Sequence, residues 1–216
     1  MDINGFKGSL YDILGYFAPG LVSIIGYILI IPRMFGTYCT LDVLKTACKD
    51  ISGFEIFLLI IIAYIFGHVL ASLSSFIIEN QLVKKVEKLH KSISGKKILG
   101  DEHYTILCAK YKKTFNAQYS DENLRRIICY VQSKQNLVYE TALIFLSFYG
   151  MARNFAFSFG IFSVMEIMLC IFKRGHLGLF ALFLIVSMVF LHEYIRFRKY
   201  YIDTILSSFL IPEKIS

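Results

Sequence analysis

His68 and Ser72 stand one helical turn apart, and Glu166 lies inside a run otherwise free of charge. An imidazole or a carboxylate in apolar surroundings is expensive to hold, so each is a functional candidate by default. His68 and Glu166 could line a polar lumen or gate, as in a small ion channel or transporter. The plainer alternative is hydrogen bonding between helices. An intramembrane protease needs paired aspartates, or serine and histidine at matching depth; Ser72 and His68 share one helix and meet that demand weakly. There is no phosphate-binding Gly-rich loop, no His-Glu-x-x-His, no Gly-x-Ser-x-Gly and no dinucleotide fingerprint. An Arg followed four to six residues later by His, the spacing of a class of helical ribonucleases, is also missing. No enzyme activity and no cofactor is expected. The five cysteines lack metal-ligand spacing, so no metal is expected either.

Charge is the stronger signal. Between Asn80 and Asn136 the chain carries twelve Lys/Arg against five Asp/Glu, and that surplus equals the net charge of +7 for all 216 residues. Lys84, Lys85, Lys88 and Lys91 leave an apolar stretch directly, which assigns them to lipid headgroups, each contributing roughly 1 kcal/mol at an anionic surface. Lys110, Lys112, Lys113, Arg125 and Arg126 form a more distal group, assigned to a cytoplasmic protein partner. Nucleic acid also rewards clustered cations and ranks below protein here.

The elements that position these residues are apolar helices. Apolar residues make up 56% of the chain and charged residues 18%, where soluble chains run nearer a quarter charged. The mean hydropathy of +0.58 fits a multi-pass membrane protein. Four spans are expected, over about 11–32, 54–78, 154–172 and 177–195, each near the length that crosses a hydrocarbon core of about 30 Å. Pro19-Gly20 should kink or break the first. The stretch 137–152 reads as an extension of the third helix. The resulting order is a hairpin (1–79), a basic helical module (80–136), a second hairpin (137–195) and a tail helix (196–216). The fold class is all-α.

Orientation follows from Lys/Arg in the connections. The N-terminus, basic module and tail hold seventeen; the two hairpin loops hold five (Arg33, Lys45, Lys49, Lys173, Arg174). Both termini and the module are therefore expected in the cytoplasm of a bacterial inner membrane. Cys39 and Cys48 then share the outer loop, with eight residues between them, where a disulfide is expected. Cys108 and Cys129 fall in the module and Cys170 in a span. Arg153, Glu140, His192 and Glu193 read as boundary residues that snorkel or pair.

Within the module, Leu82, Val86, Leu89 and Ile93 continue the second span. Asp101 is placed to cap a helix whose Tyr104, Leu107, Cys108, Tyr111 and Phe115 share a face. Ser120 is placed to cap another carrying Leu124, Ile127, Ile128 and Val131. These faces need each other, the tail residues Tyr200, Ile205, Leu206 and Phe209, or another subunit. Small residues at Gly15, Gly20, Gly26, Ser72, Ser74 and Ser75 allow close helix packing, and a homo-oligomer is expected.

The run Tyr11-Asp12-Ile13-Leu14-Gly15-Tyr16-Phe17-Ala18-Pro19-Gly20 resembles the opening of small multi-pass proteins of bacterial anti-phage defence. The four-span layout is similar to the membrane subunit of the Kiwa system and, secondly, to membrane accessory proteins of type VI-B CRISPR loci. The resemblance covers ten residues and transfers no site residue. It implies an oligomeric membrane sensor or effector, acting with a cytoplasmic partner or by perturbing the membrane.

Overall fold

A computed structural model describes residues 12–36, 52–83 and 94–211, without the side chain of Asn136. Cys39, Cys48, Lys84, Lys85, Lys88 and Lys91 lie outside the described residues, as do Val86, Leu89 and Ile93. The described chain is helical, with no strand. A π-helical turn (Ile13–Phe17) leads into α1 (Ala18–Met34); α2 (Gly53–Ser74) continues as a π-helical stretch (Ser75–Val83). Then come α3 (Gly95–Phe115), a 3-10 turn (Asp121–Asn123), α4 (Leu124–Lys134), α5 (Asn136–Ile171) and α6 (Leu177–Leu210). Four of these are long and apolar enough to cross a membrane: Ile13–Met34, Gly53–Leu82, Leu137–Ile171 and Leu177–Leu210.

Pro19 shapes the first span without ending it. A proline has no N–H to give the carbonyl four residues back, so the ladder is interrupted at Gly15. The helix absorbs this as the π turn, in which the Ala18 N–H reaches the Ile13 carbonyl. Just beyond, Gly20 lies against α2 so closely that a Cβ there would sit 2.0 Å from the Ala63 carbonyl oxygen. The facing Gly67 would collide with the Tyr16 carbonyl at 2.1 Å. With lipid as apolar as the side chains, such backbone contact is what holds membrane helices together. On α2 the seam is Ala63, Gly67, Leu70, Ala71 and Ser74; its other faces expose Ile, Leu and Phe. A Ser52–Glu55 capping box starts this helix.

The second hairpin is the spine of the fold. At 36 and 34 residues, α5 and α6 reach roughly 54 and 51 Å, well beyond a hydrocarbon core. Aromatic pairs rivet them along their length: Phe162–Phe183, Phe155–Phe190, Tyr149–Tyr194, Phe148–Phe197 and Phe145–Tyr200, with centroids 4.9–5.7 Å apart. The turn joining them is tight, with Lys173 left-handed (φ 59°) and Gly175 seated where a Cβ would meet the Cys170 backbone nitrogen at 2.4 Å.

The module is built on the protruding ends of this hairpin. Leu107 and Tyr111 of α3, Ile127 and Val131 of α4, and Ile205, Leu206 and Phe209 of α6 are fully buried together. The expected helix faces are the ones that pack. Tyr200 does not join them; it is 46% exposed and its ring pairs with Phe145. The expected caps are also absent. Gly100 (φ 78°) divides α3, and the Asp101 carboxylate after it takes the Lys96 ammonium at 3.0 Å. Ser120 makes no side-chain cap bond. Residues 196–210 of the expected tail are no separate helix but the last four turns or so of α6, and α4 meets α5 across one non-helical residue, Gln135.

Candidate functional site

The freed Gly15 carbonyl begins a polar network at the module end of the membrane bundle. Asn154, buried on α5, donates its side-chain N–H to that oxygen at 2.7 Å. Its own side-chain oxygen accepts from the Ser74 hydroxyl of α2. Arg153 extends the network: its Nε reaches Ser74 Oγ at 3.1 Å, Nη2 the Ala71 carbonyl at 3.3 Å and Nη1 the Glu79 carboxylate at 2.6 Å. Glu79 also accepts from the Tyr149 hydroxyl. Tyr149 stacks on Tyr194, whose hydroxyl accepts from Arg198 at 2.7 Å. All four long helices are thus tied at one level. One turn deeper, the Ser23 and Ser158 hydroxyls meet at 2.7 Å.

Beside this network lies a polar-walled cavity of about 400 Å³, lined by Tyr16, His68, Ser72, Ser75, Asn80 and Arg153, among others. It is bounded by the two π-helical stretches, a distortion often found at functional sites. His68 stacks on Tyr16 with centroids 3.9 Å apart and meets Tyr64 edge-on at 4.7 Å. The Ser72 hydroxyl donates to the His68 carbonyl at 3.1 Å, so it bonds its own helix and is not poised on the imidazole.

Glu166 belongs to the other end. It is fully enclosed and forms a two-pronged ion pair with Arg33, in the last turn of α1. Its second oxygen also accepts the His176 backbone N–H at 3.3 Å. Arg174 donates to the Met34 carbonyl at 2.7 Å and its own carbonyl accepts from Arg33 at 3.3 Å, closing the clasp between α1 and the α5–α6 turn. The structure does not bring His68 and Glu166 together.

The distal cations divide. Lys110 donates to the Ile211 carbonyl at 2.9 Å and lies 5.2 Å from the Phe209 ring centre, pinning the end of α6. Lys112, Lys113, Arg125 and Arg126 are exposed and make no ion pair among the described residues. Arg125 and Arg126 line an open groove of about 690 Å³ with Phe115, Glu122, Cys129 and Tyr130. Nearby, burial first and the Asp121 carboxylate second push the Tyr119 phenol above its ordinary range. Cys108, Cys129 and Cys170 are free thiols, and no group of three metal-ligating side chains occurs among the described residues.

Of the boundary residues, His192 and Arg196 both approach Glu193, at 3.7 and 2.8 Å. Glu79, Asn154 and Tyr149 carry the network, and no local pattern in the sequence marks them as site residues. Glu79 directly follows an apolar run and looks like a boundary residue there. No family model matches the chain, and no curated protein or solved structure is similar to it at a significant level. The class is defined by the fold: an all-α protein whose four apolar helices fit a multi-pass membrane protein.

Proposed function

We propose that this is a non-enzymatic, self-associating membrane protein that couples its transmembrane bundle to a cytoplasmic protein partner. Its setting is bacterial anti-phage defence, as the N-terminal resemblance implies. The Lys/Arg distribution supports an inner-membrane location with both termini and the module in the cytoplasm. The observation that carries the reading is continuity. Helices α5 and α6 run unbroken from the bundle into the module, and a single buried cluster extends from Ile78 and Ala156 to Phe209. A displacement of the spans would therefore move the basic face as a lever moves its far end. That face presents Arg125 and Arg126 on a groove walled by Phe115 and Tyr130, with Lys112 and Lys113 exposed on α3, a surface suited to an acidic partner. Channel or transport activity centred on His68 and Glu166 draws no support from the geometry, since Glu166 is neutralised by Arg33 at the opposite end.

The test is native purification of the full chain in mild detergent, with mass analysis of subunit number and bound protein. Replacing Lys112, Lys113, Arg125 and Arg126 together with glutamine is expected to release the partner while leaving the oligomer and its melting temperature intact. Retention of the partner by that variant contradicts the proposal.

A further inference from the structure

The polar cavity between the two π-helical stretches has one wall that faces away from the bundle. His68, Ser72 and Asn80 are all exposed, on one strip of α2 and its continuation. His68 lies about 22 Å along the helix from Gly53, hence within a hydrocarbon core of about 30 Å that begins near that end. Asn80 lies roughly 18 Å further on, at the level of the headgroups. Polar side chains at such depth normally face a bundle interior or a wet cavity. Here the strip faces outward from a helix otherwise sheathed in exposed Ile, Leu and Phe.

The donors of the lining suit an anion. Arg153 lines the cavity with its side chain only 12% exposed, and its four protein acceptors, two of them sharing the Nε–H, use three of five N–H groups. Glu79, which shares that guanidinium, is not among the lining residues, and its carboxylate is taken up by Arg153, the Tyr149 hydroxyl and the Ser75 hydroxyl. Asn80 adds amide donors at the mouth, and the His68 ring adds a nitrogen donor deeper in. The long axis of the site runs from headgroup depth into the hydrocarbon, which matches a phosphodiester continuing into glyceryl esters and acyl chains. Phe76, 58% exposed on the same wall, suits the chains.

We propose that this cavity is a binding site for one phospholipid of the leaflet on the module side. Its phosphodiester accepts from Arg153 and Asn80, and its ester region lies along Ser72 and His68. The site touches both π-helical stretches and Arg153, so occupancy stiffens the level at which all four long helices are tied. The assignment is independent of whether the basic face docks a partner.

The experiment uses the full chain and the variant carrying His68→Leu and Asn80→Leu. Both positions are exposed, so the fold is expected to persist, checked by circular dichroism and melting temperature. Delipidated protein is titrated with short-chain phosphatidylglycerol and, separately, with inorganic phosphate, with retained lipid read by native mass spectrometry. The wild type is expected to hold one phospholipid per protomer, and the variant to bind about tenfold more weakly, the loss that two modest hydrogen bonds represent. Three results overturn the proposal. One is equal lipid binding by both proteins. Another is phosphate binding as tightly as lipid, which means a free-anion site. The third is unchanged lipid binding with a shift from oligomer to monomer, which means a second copy covers the strip.

Discussion

Asn154 stands in for a backbone donor that Pro19 lacks: its side-chain amide occupies the Gly15 carbonyl at 2.7 Å. An unpaired carbonyl inside a bilayer costs several kcal/mol, so the proline on α1 and the asparagine on α5 form one device. The device also fixes where α5 sits against the first span, because Asn154 is at once bonded to Ser74 of α2.

This yields a rescue prediction. Asn154→Leu is expected to destabilise the protein by about 2 kcal/mol, read from unfolding in mixed detergent. Pro19→Ala restores an N–H four residues after Gly15, so in that background the same Asn154 change should cost clearly less. Strict additivity in the double-mutant cycle would show that the two residues do not share the carbonyl.

Glycines make a second, internally controlled test. Gly67→Ala drives a methyl into the Tyr16 carbonyl at 2.1 Å, a clash between backbones that no side-chain motion relieves. A loss of about 1–3 kcal/mol or more is expected. Gly150 lies mid-helix with nothing within 4 Å of an added Cβ, so Gly150→Ala should be neutral or stabilising by about 0.5–1 kcal/mol. Equal melting temperatures for the two alanine variants would refute the close approach of α1 and α2.

The enclosed Arg33–Glu166 pair predicts an asymmetry. Glu166→Gln leaves a guanidinium without its counter-charge and should cost about 3–5 kcal/mol. Arg33→Met combined with Glu166→Leu removes both charges and should recover most of that loss. If activity rather than stability fails in the double variant, Glu166 has a role beyond holding α1 to the α5–α6 turn.

How much of this the sequence disclosed depends on the range of the interaction. The four apolar helices follow from local hydropathy, and the buried faces of α3 and α4 follow from helical spacing, so Leu107, Tyr111, Ile127 and Val131 are readable in advance. The uninterrupted α5 also follows, once 137–152 is taken as a continuation of the third span. Arg33 counts in the sequence as a loop cation and Glu166 as a lone intramembrane acid. Both lie near the same hairpin ends, and only their shared depth, which pairs distant segments, marks them as partners. Asn154 is less accessible still. Its purpose depends on a carbonyl that a proline in another helix has freed, and no local pattern encodes that. Lys110 illustrates the converse: by sequence it belongs with the partner-facing cations, yet the end of α6 claims it.

Tyr111 supplies the last prediction. Its ring is fully buried in the module core, packed 4.7 Å from Phe115 and 5.5 Å from Tyr119, so its apolar body contributes to the packing. Its hydroxyl, also buried, has no hydrogen-bond partner among the described residues. A buried unsatisfied hydroxyl costs about 1–3 kcal/mol, whereas the ring contacts are unaffected by removing one oxygen. Tyr111→Phe should therefore leave the module folded and raise its stability by about 1 kcal/mol, measured as a higher melting temperature of the full chain. Tyr111→Ala should instead cost about 3–5 kcal/mol through the cavity it opens. A Tyr111→Phe protein that melts lower than the wild type would mean the hydroxyl bonds a buried water, and that its burial is stabilising after all.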